Sequence, residues 1–265
     1  MSDLLNIVVS EARTDDPAGD QPSQELARRL AELPQTRVTV VPHLYDLPAD
    51  GPAIRHLQQI TGDLLVFSWL YPRAAFWVLD ANQVSGQMGR SPLVPQEELE
   101  PAAGQGGAEE SRRTIWCIDL RAGETIKPYL DETRRILRET GRTAPGSAPP
   151  NAVPLRVEEE AACRWYPVVD RHRCAGCLEC LNFCLFGVYG LDESQRLFVE
   201  QPDACRDGCP ACSRICPSQA IMFPQHSDAR IAGDGHTSPP DHGVRKGGAA
   251  DGLDRLVDGL DEMDL

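Results

Sequence analysis

The sequence predicts a chain in two parts, an open α/β sheet domain followed by a small cysteine-rich α+β domain, and three observations carry that expectation. Short apolar runs alternate with amphipathic helical stretches in the first half, a Pro- and Gly-rich stretch follows, and eight of the ten cysteines fall between positions 174 and 216. With 265 residues and 41% apolar side chains the chain is long enough to bury two modest cores.

The first run, LLNIVV at residues 4–9, has the length of a strand, and SQELARRLAEL after it repeats Leu26, Leu30 and Leu33 at helical spacing. Residues 37–41 (RVTVV) are β-branched and strand-like, 53–60 (AIRHLQQI) are helical, and 63–69 (DLLVFSW) form an apolar run of strand length. A third helix is expected over 73–82, a fourth strand over 114–120 (TIWCIDL) and a fourth helix over 126–139, with Pro128 in its first turn, where a missing N–H costs nothing. Strands separated by helices imply parallel pairing through right-handed crossovers. Residues 1–141 are therefore expected to form a flavodoxin-like sheet of four or more parallel strands, covered on both faces. Residues 85–113, rich in Gly, Pro, Gln and Glu without apolar period, read as a surface excursion, and 142–157 as a Pro/Gly-rich linker.

From residue 158 to 224 the texture changes to short strand-like pieces, WYPVV, GVYGL, RLFVE and AIMF, interleaved with the cysteines. Residues 225–265 read as an acidic flexible tail. Within it, 251–263 place Leu253, Leu256, Val257 and Leu260 on one face of a short amphipathic helix.

The first cysteine group, Cys174, Cys177, Cys180 and Cys184, has the C-x2-C-x2-C-x3-C spacing of a cubane iron–sulfur site; the second, Cys205, Cys209, Cys212 and Cys216, is followed directly by Pro217. Thiols this close wrap one compact inorganic group. Zinc prefers paired C-x2-C knuckles across longer gaps, and disulfides between such near neighbours would be strained. Over about residues 164–224 the sequence resembles the bacterial two-cluster ferredoxins. That resemblance implies a dicluster fold with two [4Fe-4S] clusters and crossed ligation: Cys174, Cys177, Cys180 and Cys216 on one cluster, Cys205, Cys209, Cys212 and Cys184 on the other. Two departures are visible. Three residues instead of two separate Cys205 from Cys209, and Leu185 stands where the family has a proline. Eight thiolates for two cubes leave no open iron, which favours electron transfer over Lewis-acid chemistry.

Outside the clusters, Cys117 in TIWCIDL reads as a buried, inert thiol. Cys163 precedes the first strand of the cysteine-rich domain, and His172, two residues before Cys174, reads as a loop residue or a tuner of potential. With 40 acidic against 26 basic residues the net charge is −14, which argues against nucleic acid or an anionic membrane as partner and fits a redox protein with a basic docking surface. No apolar stretch is long enough to span a bilayer, and clustered cysteines point to a reducing compartment, so a cytoplasmic protein without membrane insertion is expected. The expected role is a low-potential electron carrier or the electron-wiring subunit of a redox complex, with the α/β domain supplying docking, rather than a stand-alone enzyme. A flavin or small molecule at the carboxyl ends of the strands, near 10–16 and 68–73, would make it an oxidoreductase instead, although no glycine-rich phosphate motif follows the first strand. A scaffold stapled by structural clusters is the third possibility.

Overall fold

The computed structural model describes residues 4–14, 20–94, 113–123, 125–142, 153–160 and 162–235. The alternating runs become strands β1 (Leu5–Ser10), β2 (Thr36–Val41) and β3 (Leu64–Ser68), with helices α1 (Gln21–Ala31), α2 (Pro52–Gln59) and α3 (Pro72–Ala81) between and after them. A two-residue strand β4 (Gln87–Met88) precedes β5 (Thr114–Asp119), and α4 (Lys127–Glu139) follows. Each of these helices carries a proline in its first turn, where the fixed φ starts the helix and no hydrogen bond is lost.

One six-stranded sheet results, in the order β4-β5-β3-β1-β2-β6, and every pair in it is parallel. Its four long strands therefore run 2-1-3-4, the doubly wound order expected from the alternation. The central strands β1 and β3 are buried at every position. Their side chains alternate between two cores: Val8, Leu64 and Val66 face α2 and α3, while Ile7, Val9, Leu65 and Phe67 face α1 and α4.

Two stretches differ from the sequence reading. Residues 85–94 stay with the sheet: Gly89 N–H donates to the Ile115 carbonyl at 2.8 Å, and a Cβ on Gly89 would lie 2.4 Å from the Trp116 indole, so only glycine allows this approach. Residues 95–112 lie outside the described residues. At the other edge, β6 (Leu155–Arg156), near the end of the Pro-rich stretch, pairs with β2, because the outer edge of β2 offers unmade backbone bonds that an extended chain can take.

The second part holds β7 (Val168–Val169), α5 (Glu179–Phe183), β8 (Tyr189–Leu191), β9 (Leu197–Val199), α6 (Ala211–Ile215) and β10 (Ile221–Met222). Strands β7 and β10 pair antiparallel, as do β8 and β9. After β10 the chain does not loosen at once. Helix α7 (Ala229–Ala232) returns, with the Phe223 N–H donating to the Ile231 carbonyl at 2.7 Å. The helix expected over 251–263 lies outside the described residues.

The parts share a core. Tyr166, Val168 and Met222 belong to the same buried cluster as Val8, Leu57 and Trp77. Polar contacts reinforce it, and they come mainly from loops at the carboxyl edge of the sheet. After β1, Arg13 bonds Asp46 and the Arg164 carbonyl; after β2, Tyr45 stacks on Tyr166 at 4.3 Å between ring centroids; after β3, Arg73 reaches Asp170.

Candidate metal centre

Both cysteine groups are shaped by short helices with matching ends. Helix α5 closes on Cys184 at φ −73°, ψ 113°, and α6 closes on Cys216 at φ −69°, ψ 111°, so the fourth thiol of each group leaves its helix in the same extended geometry. Gly176 (φ +67°) and Gly208 (φ +69°) supply left-handed turns between the first two cysteines of each group. A Cβ at Gly208 would meet nothing within 4 Å, so the additional residue between Cys205 and Cys209 bulges into open space and leaves the thiols in reach of one another.

The eight thiols are brought to two cavities. One is narrow, about 10 Å³, and is rimmed by Cys174, Cys177, Cys180 and Cys216, with Leu178, Leu197, Ser218 and Ala220 around them. The other is wider, about 350 Å³, and is rimmed by Cys184, Cys205, Cys209 and Cys212 with Phe183, Leu185, Phe186 and Tyr189. Each therefore takes three thiols from one group and the fourth from the other. Cys117 and Cys163 line neither. None of the ten cysteines is in a disulfide.

The donor set fits a polynuclear group better than a single ion. Among the described residues no three His, Cys, Asp or Glu side chains gather closely enough around one point to hold one metal ion. Four thiols spread around a common space suit a cube whose corners each take one sulfur, and because metal–sulfur contacts are bonds, such a cube needs less free room than an unbonded molecule of its size. A second observation agrees. Tyr189 Oη is buried and has no hydrogen-bond partner, although Cys212 lies close enough for thiol and phenol to perturb each other's ionisation. A buried donor without an acceptor is costly, and a sulfide or thiolate in the wider cavity would supply one.

Without metal, burial pushes the Cys180 and Cys205 thiols up to about 12 and Cys212 up to about 11, with neighbouring cysteine sulfurs adding to the effect. A metal that binds thiolates must overcome this, and its charge reverses the cause. Amide and hydroxyl donors are in place for Cys216: the Ala220 N–H points at its Sγ at 3.4 Å and Ser218 Oγ lies 3.5 Å away. Trp165 backs the second site, stacked on Phe223 at 5.1 Å and donating from Nε1 to the Cys209 carbonyl at 3.3 Å.

Residues that sequence reading placed elsewhere also find partners. His172 stands edge-on to Trp77 at 4.9 Å, and Cys117 is buried in β5 with its pKa pushed up by burial. Ser10, at the carboxyl end of β1, accepts from the Leu44 N–H at 2.8 Å. Tyr189, Ser218 and Arg73 carried no spacing signal; only the inward phase of the GVYGL alternation hinted at Tyr189.

A small α+β unit with two thiol-rimmed cavities belongs to the iron–sulfur class of protein. Comparison with known proteins agrees. An uncharacterized ferredoxin of Methanocaldococcus jannaschii is 40% identical over 67 residues, 25% of this chain and 45% of that protein. A second uncharacterized ferredoxin of the same organism is 31% identical over 58 residues, 21% of this chain and 74% of that one. By this likeness the chain belongs to the ferredoxins. It also matches indolepyruvate oxidoreductase subunit IorA of Methanothermobacter marburgensis, 32% identical over 140 residues, which is 52% of this chain and 20% of that subunit. The chain thus spans less than half the length of two of these relatives. No family model matches it. Among the described residues no helix is long and apolar enough to cross a membrane.

Proposed function

We propose that the protein transfers single electrons through two [4Fe-4S] clusters with crossed ligation, Cys174, Cys177, Cys180 and Cys216 holding one, and Cys205, Cys209, Cys212 and Cys184 the other. The observation that carries this reading is the mixed rim of each cavity, three thiols from one group and the fourth from its counterpart. Each cluster supplies a one-electron store when bound. The chain's own contribution is to hold four thiolates per site, to aim the Ala220 N–H at Cys216 sulfur, and to keep water away with Leu178, Leu197 and Val188.

The likeness to an oxidoreductase subunit supports a place as an electron-wiring part of a redox complex, and the α/β domain, proposed to span residues 1–141, would be the platform for the cluster domain over 158–224. We place the protein in the reducing cytoplasm, working at low potential, and its net charge of −14 suits a partner with a basic face. Loops that in other doubly wound sheets receive a nucleotide or flavin here bond the cluster domain instead, through Arg13, Tyr45 and Arg73. This favours the electron-transfer reading over a flavin oxidoreductase.

Iron and acid-labile sulfide, measured on anaerobically purified protein, are expected at about eight each per chain. Cys216→Ala should damage the cluster held by Cys174, Cys177 and Cys180, and Cys184→Ala the other. Damage confined to the mutated residue's own sequence group would refute crossed ligation.

A further inference from the structure

Arg73 has the largest side chain among the fully buried residues, yet it belongs to the first turn of α3 in the α/β domain. A guanidinium is held so deep only where its donors are satisfied. Nε donates to Asp170 Oδ2 at 2.6 Å and an Nη donates to the Gln219 carbonyl at 2.7 Å. Both acceptors lie in the cluster domain, and each adjoins one cysteine of the narrow site.

On one side, Asp170 sits four residues before Cys174. Its carbonyl accepts from the Cys174 N–H at 3.0 Å, and its Oδ1 accepts from the N–H groups of His172 and Arg173 at 2.9 and 3.1 Å, which fixes the loop that delivers Cys174. On the other side, Gln219 is three residues past Cys216 and is held at φ +51°, a left-handed conformation that a residue with a Cβ adopts only when its surroundings impose it. Its N–H closes a turn onto the Cys216 carbonyl at 3.1 Å, and the carbonyl bonded by Arg73 belongs to the peptide whose N–H, that of Ala220, points at Cys216 Sγ. The two sides are also joined directly, since the Asp170 N–H donates to the Ala220 carbonyl at 2.8 Å.

We propose that Arg73 is a positioning residue for the Cys174–Cys216 cluster: acting from the α/β domain, it fixes the peptide plane that hydrogen-bonds Cys216 sulfur and so sets that cluster's reduction potential. The inference rests on the crossed two-cluster reading above. Donors aimed at sulfur stabilise the more negative, reduced state, and Arg73 itself offsets the Asp170 charge nearby. Replacing it with a neutral residue frees the Gln219–Ala220 peptide and leaves Asp170 only the longer pairing with Arg173, 3.7 Å away. Both changes lower the potential.

The test uses the full chain, reconstituted anaerobically, with iron content and a redox titration followed by EPR. Ser218→Ala identifies which signal belongs to the Cys216 cluster, because Ser218 Oγ contacts that sulfur directly. Arg73→Gln is expected to lower the midpoint of that same signal and leave the other in place, and Arg73→Lys, which keeps the charge and most of the reach, to shift it less. Loss of that signal at unchanged iron content would be the same effect carried below the reach of the reductant, whereas its loss together with about half the iron would show a merely structural role and overturn the proposal. No shift at full iron content, an equal shift or loss of both signals, or a shift of the other signal alone would overturn the proposal. Wild-type protein with about four iron and one signal would refute the two-cluster reading itself, before any Arg73 variant is measured.

Discussion

Cys117 and Cys163 stand outside both cavities for opposite reasons. The first is sealed in β5 with its thiol pKa pushed up by burial, whereas the second is exposed. Protein with its clusters in place should therefore react with a maleimide at about one thiol per chain, Cys163, since metal-bound and buried sulfurs are not free nucleophiles. Cys163→Ser should abolish labelling with iron content unchanged; labelling at further sites would mean that a thiol taken as a ligand is free. Tyr189 allows a second prediction at this scale. Tyr189→Phe removes the buried phenol beside Cys212 and should lower the potential of that cluster by on the order of tens of millivolts, because only the difference between hydrogen bonding to the two oxidation states counts. An unmoved potential would show that the hydroxyl does not reach sulfur. The ligands were legible in the sequence because their spacing is local. Arg73 was not, since its partners lie 97 and 146 residues away.

Helices α5 and α6 are the clearest case of one element used twice. Each is five residues long and each ends on a cysteine with almost the same backbone angles, but Pro217 follows one and Leu185 the other. Cys184 already has the extended geometry that a following proline requires, and Leu185, at the rim of the wider cavity, is 92% exposed with little packing to lose. Leu185→Pro should keep full iron content and raise stability by about 0.4–1 kcal/mol, the usual gain from stiffening the unfolded chain at a compatible site. A loss of iron would show that the loop over the wider cavity needs freedom that proline denies. Helices and strands of the α/β part were legible because each carries a period over five or more residues. The edge strands β4 and β6 and helix α7 were not, since two to four residues hold no period and form only because a sheet edge or a neighbouring core is waiting for them. Gly233, at the end of α7, shows that dependence. At φ +113° its missing Cβ would lie 2.8 Å from the Ala74 Cβ, so its small size is dictated by a helix some 160 positions earlier in the chain.

At the scale of the whole molecule the question is whether the two parts behave as one. Their boundary has the composition of a linker, and sequence alone separates them there. The folded chain runs the core across the junction: Tyr166 is 6% exposed, stacks on Tyr45, donates from its hydroxyl to the Tyr45 carbonyl at 2.9 Å, and receives the Tyr45 hydroxyl on its own carbonyl. Burial holds both phenols well above their ordinary pKa. With Arg73 and Asp170 buried alongside, opening the junction would expose an apolar stack and break a close, buried ion pair. The expected outcome is a single cooperative transition, in which loss of cluster absorbance and loss of far-UV circular dichroism coincide on heating under anaerobic conditions. Tyr166→Ala, which removes the stack and a bond at a cost of about 3–5 kcal/mol, should split the two signals, with the clusters lost first and the parallel sheet melting afterwards. Two separate transitions in the unaltered protein would mean that the parts are independent bodies, and the α/β domain could then act on the clusters only by bringing partners to them.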